Sequence, residues 1–174
     1  KGDLATIERL LAEGAKVDAK DAIGRTALMA ATQKNNLPLA RRLIAAGSDV
    51  NARDITMLSP YLCAGANGFN EIFKLAIASG ADRNSVNRFG GTALIPACHH
   101  GHVENVQILL GTAIDVDHVN KLGWTALLEA VILGGGGAAH TEIVRLLVAH
   151  RARVDLADGD GVTPLQHARQ RGYG

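Results

Sequence analysis

The sequence is poor in aromatic residues: one Trp, two Tyr and three Phe, 3% of the chain. That argues against a surface built to stack the bases of single-stranded nucleic acid. Two cysteines, Cys63 and Cys98, are too few for a disulfide framework or a multi-cysteine metal knot. Neither sign of charge dominates, with 18 Lys+Arg against 17 Asp+Glu, so no global basic field draws the chain to nucleic acid or a membrane surface. No apolar run reaches the roughly 20 residues of a bilayer span, and no membrane insertion is expected. A secretory leader is not visible either. Because the chain opens on Lys1 rather than Met, we expect its natural beginning to lie upstream and to decide between export and cytosol.

What is present is a 174-residue chain, 47% apolar and 20% charged, which suits one folded domain. It has a period. "GRTALMAA" from Gly24 returns as "GGTALIPA" from Gly90, "GWTALLEA" from Gly123 and "GVTPLQHA" from Gly161, with the divergent "MLSPYLCA" from Met57. A second phrase alternates with it: "LARRLIAAGSDVNA", "IFKLAIASGADRNS", "VQILLGTAIDVDH" and "IVRLLVAHRARVDL". Repetition at a fixed spacing in this range marks stacked supersecondary units.

Each unit reads as turn, helix, turn, helix. Thr26, Ser59, Thr92, Thr125 and Thr163 stand where a hydroxyl can accept from orphan helix N–H groups. Pro60 and Pro164 follow at the first helical position, which tolerates proline. The inner helix is short and Ala-rich. Asn35, Gly68, Gly101, the run from Gly134, and Gly172 accept the left-handed stop. The outer helix carries apolar residues at helical spacing, such as Val106, Leu109 and Leu110, and ends at Gly14, Gly47 and Gly80.

A step of 33 between copies, with T-P-L in the first helix and L-L-x-x-G-A-D-V-N-A after the second, resembles the ankyrin repeat. The resemblance covers the whole chain and is at least as close to bacterial members as to animal ones. It implies an all-α solenoid of stacked helix-turn-helix units with hairpin-like turns. The expected division is one ankyrin-repeat domain over 1–174: a half repeat at 1–20, repeats at 21–53, 54–86, 87–119 and 120–157, and a half repeat at 158–174. Met29, Leu62, Ile95, Leu128 and Gln166 replace the family's usual His in T-P-L-H, so apolar packing must substitute for that residue's hydrogen bonds. Ala113 and Arg151 replace the outer-helix glycine. If the backbone stays left-handed there, each costs about 1–2 kcal/mol.

The stretch "LGGGGAAHTEIVRLL" from Leu133 poses a separate question. A phosphate-cradling loop needs G-x-x-x-x-G-K-[ST] after a strand and before a helix. No Lys follows here, and a helix precedes. Measured against its neighbours, the unit at 120–157 is longer, and the surplus reads as a mobile Gly-rich insertion near 134–139.

The resemblance implies that function sits on the concave face, made of hairpin turns and the outward side of the inner helices. Carried over repeat by repeat, the candidate partner-binding residues are Arg25, Leu58, Phe89, His99, His100, Leu122, Trp124, Glu129, Ile132, Leu133 and His167. One zone of this row is apolar and aromatic: Phe89, Leu122, Trp124, Ile132 and Leu133. It suits a protein-binding patch, with Trp124 as anchor. The alternative is that Trp124 and Phe89 pack against neighbouring turns.

A second zone is polar: His99, His100, Glu129 and His167. Histidines with a carboxylate can bind a metal or move protons. Adjacent helices stand roughly 8–10 Å apart, long for four ligands to converge on one ion at about 2 Å each. A titratable hydrogen-bonding patch fits better. The same helix spacing exceeds the roughly 7 Å reach of a disulfide between Cys63 and Cys98, and Cys98 stands where the family usually has a small Ala. No nucleophile elbow, H-E-x-x-H or dinucleotide fingerprint occurs. The expectation is therefore a non-enzymatic module gripping a protein partner, with no cofactor, catalytic group or metal, and no nucleic-acid ligand. The alternatives are a metal-dependent or catalytic protein using the polar zone, and a structural spacer within a larger protein.

Overall fold

The computed structural model describes residues 4–173. The first three residues of the half repeat at 1–20, and Gly174 at the end of the last, lie outside the described residues. Among those described there are ten helices and no strand. Outer helix α1 (Leu4–Ala12) comes first. Four inner–outer pairs follow: α2 (Ala27–Gln33) with α3 (Leu37–Ala45), α4 (Pro60–Asn67) with α5 (Asn70–Ala78), α6 (Leu94–His99) with α7 (Val103–Leu110), and α8 (Ala126–Ile132) with α9 (Ala138–Ala149). Inner helix α10 (Pro164–Gln170) comes last.

The start of each inner helix is fixed by one hydroxyl. Thr26, Ser59, Thr125 and Thr163 accept from the N–H of Met29, Leu62, Leu128 and Gln166, at 3.2–3.4 Å. Gln166 returns the bond to the Thr163 N–H at 2.7 Å, closing a capping box. Thr92 departs from this expectation. Its N-cap role passes to Ala93, which makes no side-chain cap bond. The reason is Pro96. In the other repeats the fourth residue after the Thr or Ser donates to that residue's carbonyl, as Ala30, Cys63, Glu129 and His167 do. Proline has no N–H to donate. The Ile95 N–H takes the Thr92 carbonyl instead, at 3.3 Å, so α6 starts late and is the shortest helix among the described residues.

The turns between repeats are built on a residue that the helical pattern alone does not single out. Asp21, Asp54, Asn87, Asn120 and Asp158 each accept with Oδ1 from the N–H groups two and four residues on. This is an Asx turn. The backbone N–H of the same residue closes the hairpin on the carbonyl four residues on, as from Asn120 to Trp124 at 3.0 Å.

Outer helices end in two ways. At Gly14, Gly47 and Gly80 the backbone is left-handed, and the next N–H reaches back to the helix, as from Ser48 to the Leu43 carbonyl at 3.1 Å. Arg151 adopts the same conformation, with φ 66°. Ala113 does not, so the conditional cost applies to Arg151 alone. The Thr112 hydroxyl donates to the Leu109 carbonyl at 2.6 Å, covering the acceptor that the left-handed motif serves elsewhere, so the Cβ of Ala113 is spared the strained region.

The surplus residues of the expected repeat at 120–157 divide between loop and helix. Leu133–Gly137 form the loop, while Ala138 and Ala139 are the first turn of α9. The loop is packed. The Tyr173 hydroxyl donates to the Gly134 carbonyl at 3.0 Å. A Cβ on Gly134 would run into the Ala130 carbonyl and the His140 ring, and one on Gly136 would run into the Tyr173 ring.

The described chain divides into two compact units. The first holds the residues up to Ala64 with Phe69–Asp82, and the second holds Gly65–Gly68 with the residues from Arg83 onward. In the first, α2 packs on α3 and α3 on α5, and the buried Tyr61 and Phe73 rings stack at 5.1 Å. In the second, α6 packs on α8 and α8 on α10, with α7 on α9 behind them. Met29, Leu62, Ile95 and Leu128 are all buried, so apolar side chains fill the place of the T-P-L-H histidine. Gln166 is exposed and serves the capping box.

Candidate functional site

In the second unit, the hairpins at 87–91 and 120–124 and the ends of α6 and α8 enclose an open cleft of about 400 Å³. Six of the candidate residues line it: Phe89, His99, His100, Leu122, Glu129 and Leu133. Phe89 and Leu122 sit at equivalent places on successive hairpins, held by Asx turns whose bonds fix the tips. They are 52% and 57% exposed, and Leu133 at the end of α8 is 43% exposed. Three large apolar side chains around one concavity are unusual on a surface that binds nothing.

The floor is polar. Glu129 is only 6% exposed, and its Oε1 accepts from Asn120 Nδ2 at 3.1 Å. His99 Nδ1 stands 3.7 Å from Glu129 Oε2, too far for a hydrogen bond. Burial pushes the Glu129 carboxyl up, partly countered by the Asn120 amide. Burial also pushes His99 down, with the neighbouring His100 and His140 rings adding to the effect. Both shifts oppose charge on the pair, because burial penalises the ionised form of each group. His99 and His100 stack at 4.3 Å.

Two further histidines are structural. His102 Nε2 meets the Ala66 carbonyl at 3.2 Å, and His140 Nε2 meets the His99 carbonyl at 2.9 Å. Each ring links the start of an outer helix to the end of the inner helix of the preceding repeat.

The other candidates lie elsewhere. Trp124 is half-buried beside the hairpin, and neither it nor half-buried Ile132 lines the cleft. Arg25 and Leu58 belong to the first unit, where the Arg25 guanidinium is tied to Asp21 at 2.8 Å and reaches Gln33. His167 Nε2 is engaged by Asp158 Oδ2 at 2.7 Å. The Val162 N–H, then His167, hold the Asp158 carboxyl below its usual range. The four polar candidates therefore do not converge, and among the described residues no group of three or more His, Cys, Asp or Glu side chains is placed to hold a metal. Cys63 and Cys98 are both buried, and burial, with Glu129 nearby, drives the Cys98 thiol far above its ordinary range, which makes it inert. Helical spacing missed Asn87 and Asn120, which line the cleft with Ile95 and Pro96. The signal was an Asp or Asn five residues before each capping Thr or Ser.

A family model described as "Ankyrin repeats (3 copies)" matches residues 1–58 and 61–158. The chain belongs to the ankyrin-repeat family.

Its all-helical ankyrin fold is shared with solved structures. An ankyrin repeat domain from Acinetobacter baumannii AYE (ABAYE2397) is 53% identical, with a TM-score of 0.95 over 98% of this chain and 87% of that one. The ankyrin repeat protein EF0377 is 38% identical, with a TM-score of 0.94 over the same shares. The Escherichia coli (strain K12) protein YahD, whose name places it among ankyrin repeat proteins, is 47% identical over 45 residues. That match spans 26% of this chain and 22% of YahD. Ankyrin repeats are generally protein–protein interaction modules, and proteins of the family are typically non-enzymatic. No helix among the described residues is long and apolar enough to cross a membrane.

Proposed function

We propose that this ankyrin-repeat chain is a non-enzymatic module that binds a protein partner on its concave face, with the cleft of the second unit as the docking centre. The observation that carries the reading is the exposure of Phe89, Leu122 and Leu133 around one concavity. Apolar side chains at a rim of that kind gain most when a partner removes them from water. Glu129, nearly buried, shapes the floor rather than supplying contact area. Trp124, Ile132 and His167 are proposed as secondary contacts within the second unit, and Arg25 and Leu58 as contacts of the first unit by itself. No nucleic-acid ligand is proposed, because the charge of the chain is balanced.

The test is capture of partners from a lysate of the source cells by wild type and by a Phe89→Ala/Leu122→Ala variant of equal melting temperature. The expected result is a defined protein recovered by wild type and lost with the variant. Equal recovery of every protein by both would count against this face.

A further inference from the structure

The cleft carries a charge asymmetry that selects among protein partners. At its rim the Arg88 guanidinium lies over the Phe89 ring, 4.7 Å from the centroid. From the next hairpin, Lys121 Nζ reaches back to donate to the Arg88 carbonyl at 3.0 Å. Two cations thus flank the exposed apolar tips, and among the described residues neither has a carboxylate partner. The one carboxylate lining the cleft is Glu129, which is nearly buried in the floor and engaged by Asn120. It therefore pairs with neither rim cation.

A cation stacked on an aromatic face is held in place before a partner arrives. A guanidinium so placed presents its edge N–H groups as a fork suited to a carboxylate. We infer that the occupant is an acidic peptide segment of a partner protein, in which a bulky apolar side chain enters the cleft and an adjacent Asp or Glu meets Arg88 and Lys121. The inference rests on the protein-binding reading above and adds the chemistry of the ligand. Steering by such charges acts on association rate and on choice of partner more than on contact area.

The experiment is selection of a phage-displayed random peptide library against the whole chain, followed by titration of the enriched synthetic peptides into wild type and variants. The expected enrichment is an apolar residue with Asp or Glu beside it. Affinity should fall roughly fivefold or more in Arg88→Ala/Lys121→Ala and further in Arg88→Glu. The difference between wild type and variant should shrink as salt rises. All variants are surface changes whose melting temperatures are measured alongside. Enriched peptides that lack acidic residues and bind equally to wild type and Arg88→Glu, yet are lost with Phe89→Ala/Leu122→Ala, would overturn this inference and leave the docking face standing. Peptides indifferent to Phe89→Ala/Leu122→Ala, or no enrichment at all, would overturn both.

Discussion

Asn120 donates to Glu129 at 3.1 Å, and one repeat later Asp158 and His167 meet at 2.7 Å from the same two places, nine residues apart in each case. The first residue of each pair builds the hairpin turn, and the second stands on the inner helix that follows. In the other repeats the helix place is held by Ala30, Cys63 and Pro96. The scaffold thus keeps the turn constant while the helix position varies, so an ionisable group there is tied to its own hairpin rather than shared between repeats.

Glu129→Gln tests the burial of that carboxylate. Gln keeps an oxygen for Asn120 and removes the charge. The folded-state pKa of Glu129 is raised above 4.5. Its favourable contribution is therefore fully present below about pH 4.5 and lost as pH rises through the raised value. The melting temperature of Glu129→Gln relative to wild type should be more favourable at pH 7 than at pH 4. A relative deficit that grows with pH would contradict the assignment.

His99 gives the opposite slope. Its folded-state pKa is lowered below 6.5 by burial and by the neighbouring imidazoles, and that of His102 is lowered chiefly by burial. The stability these groups contribute is present above pH 6.5 and lost as pH falls through the lowered values. Ring-proton titration by NMR should give midpoints below 6.5 for both. Ordinary midpoints would show that the rings are solvated, and raised ones that an acceptor such as Glu129 outweighs burial.

Arg151→Gly should stabilise the protein by about 1 kcal/mol, because glycine removes the cost of a left-handed Cβ. Ala113→Gly should give no such gain and stay within about 0.5 kcal/mol of wild type, because Ala113 is not left-handed. Urea unfolding of the two variants side by side decides the matter. An equal gain at both sites would show that the two helix ends are alike.

Gly134→Ala should cost about 1–3 kcal/mol, as overpacking does, since its Cβ would meet the Ala130 carbonyl and His140. Gly135→Ala meets nothing within 4 Å and should be nearly neutral, while Gly137→Ala, equally unobstructed but at the N-cap of α9, should cost less than about 1 kcal/mol. Thermal unfolding of the three variants gives the comparison. A uniform response would mean that the loop lacks the packing described.

Leu109 on α7 is fully buried. Leu109→Ala should destabilise by about 2–5 kcal/mol, read from chemical unfolding. A variant as stable as wild type would displace α7 from the core.

Of the candidate site, the sequence made Phe89, Leu122 and Leu133 legible, because their places follow from repeat position alone. It also placed His99, His100 and Glu129 beside them. It did not reveal that Glu129 is buried under Asn120, that His167 is claimed by Asp158, or that Trp124 stands apart from the cleft. Those outcomes depend on which side chains a hairpin and its following helix bring together, contacts nine residues apart that helical spacing does not register. Pro96 illustrates the same limit within one helix. Its effect on the Thr92 cap could have been anticipated from the missing N–H, but the period of 33 concealed it by making all five caps look equivalent.

The order of helices, the turns between them and the apolar faces that bury were determined by the sequence itself, since caps, stops and helical spacing are local and recur at fixed intervals. Which ionisable groups are buried, how Arg88 and Lys121 are anchored at the cleft rim and how the glycine loop is held by Tyr173 were decided only by the tertiary structure. The reason is that contacts such as Lys121 to Arg88, His140 to His99 and Tyr173 to Gly134 join residues 33, 41 and 39 positions apart, brought together when one repeat settles on the next.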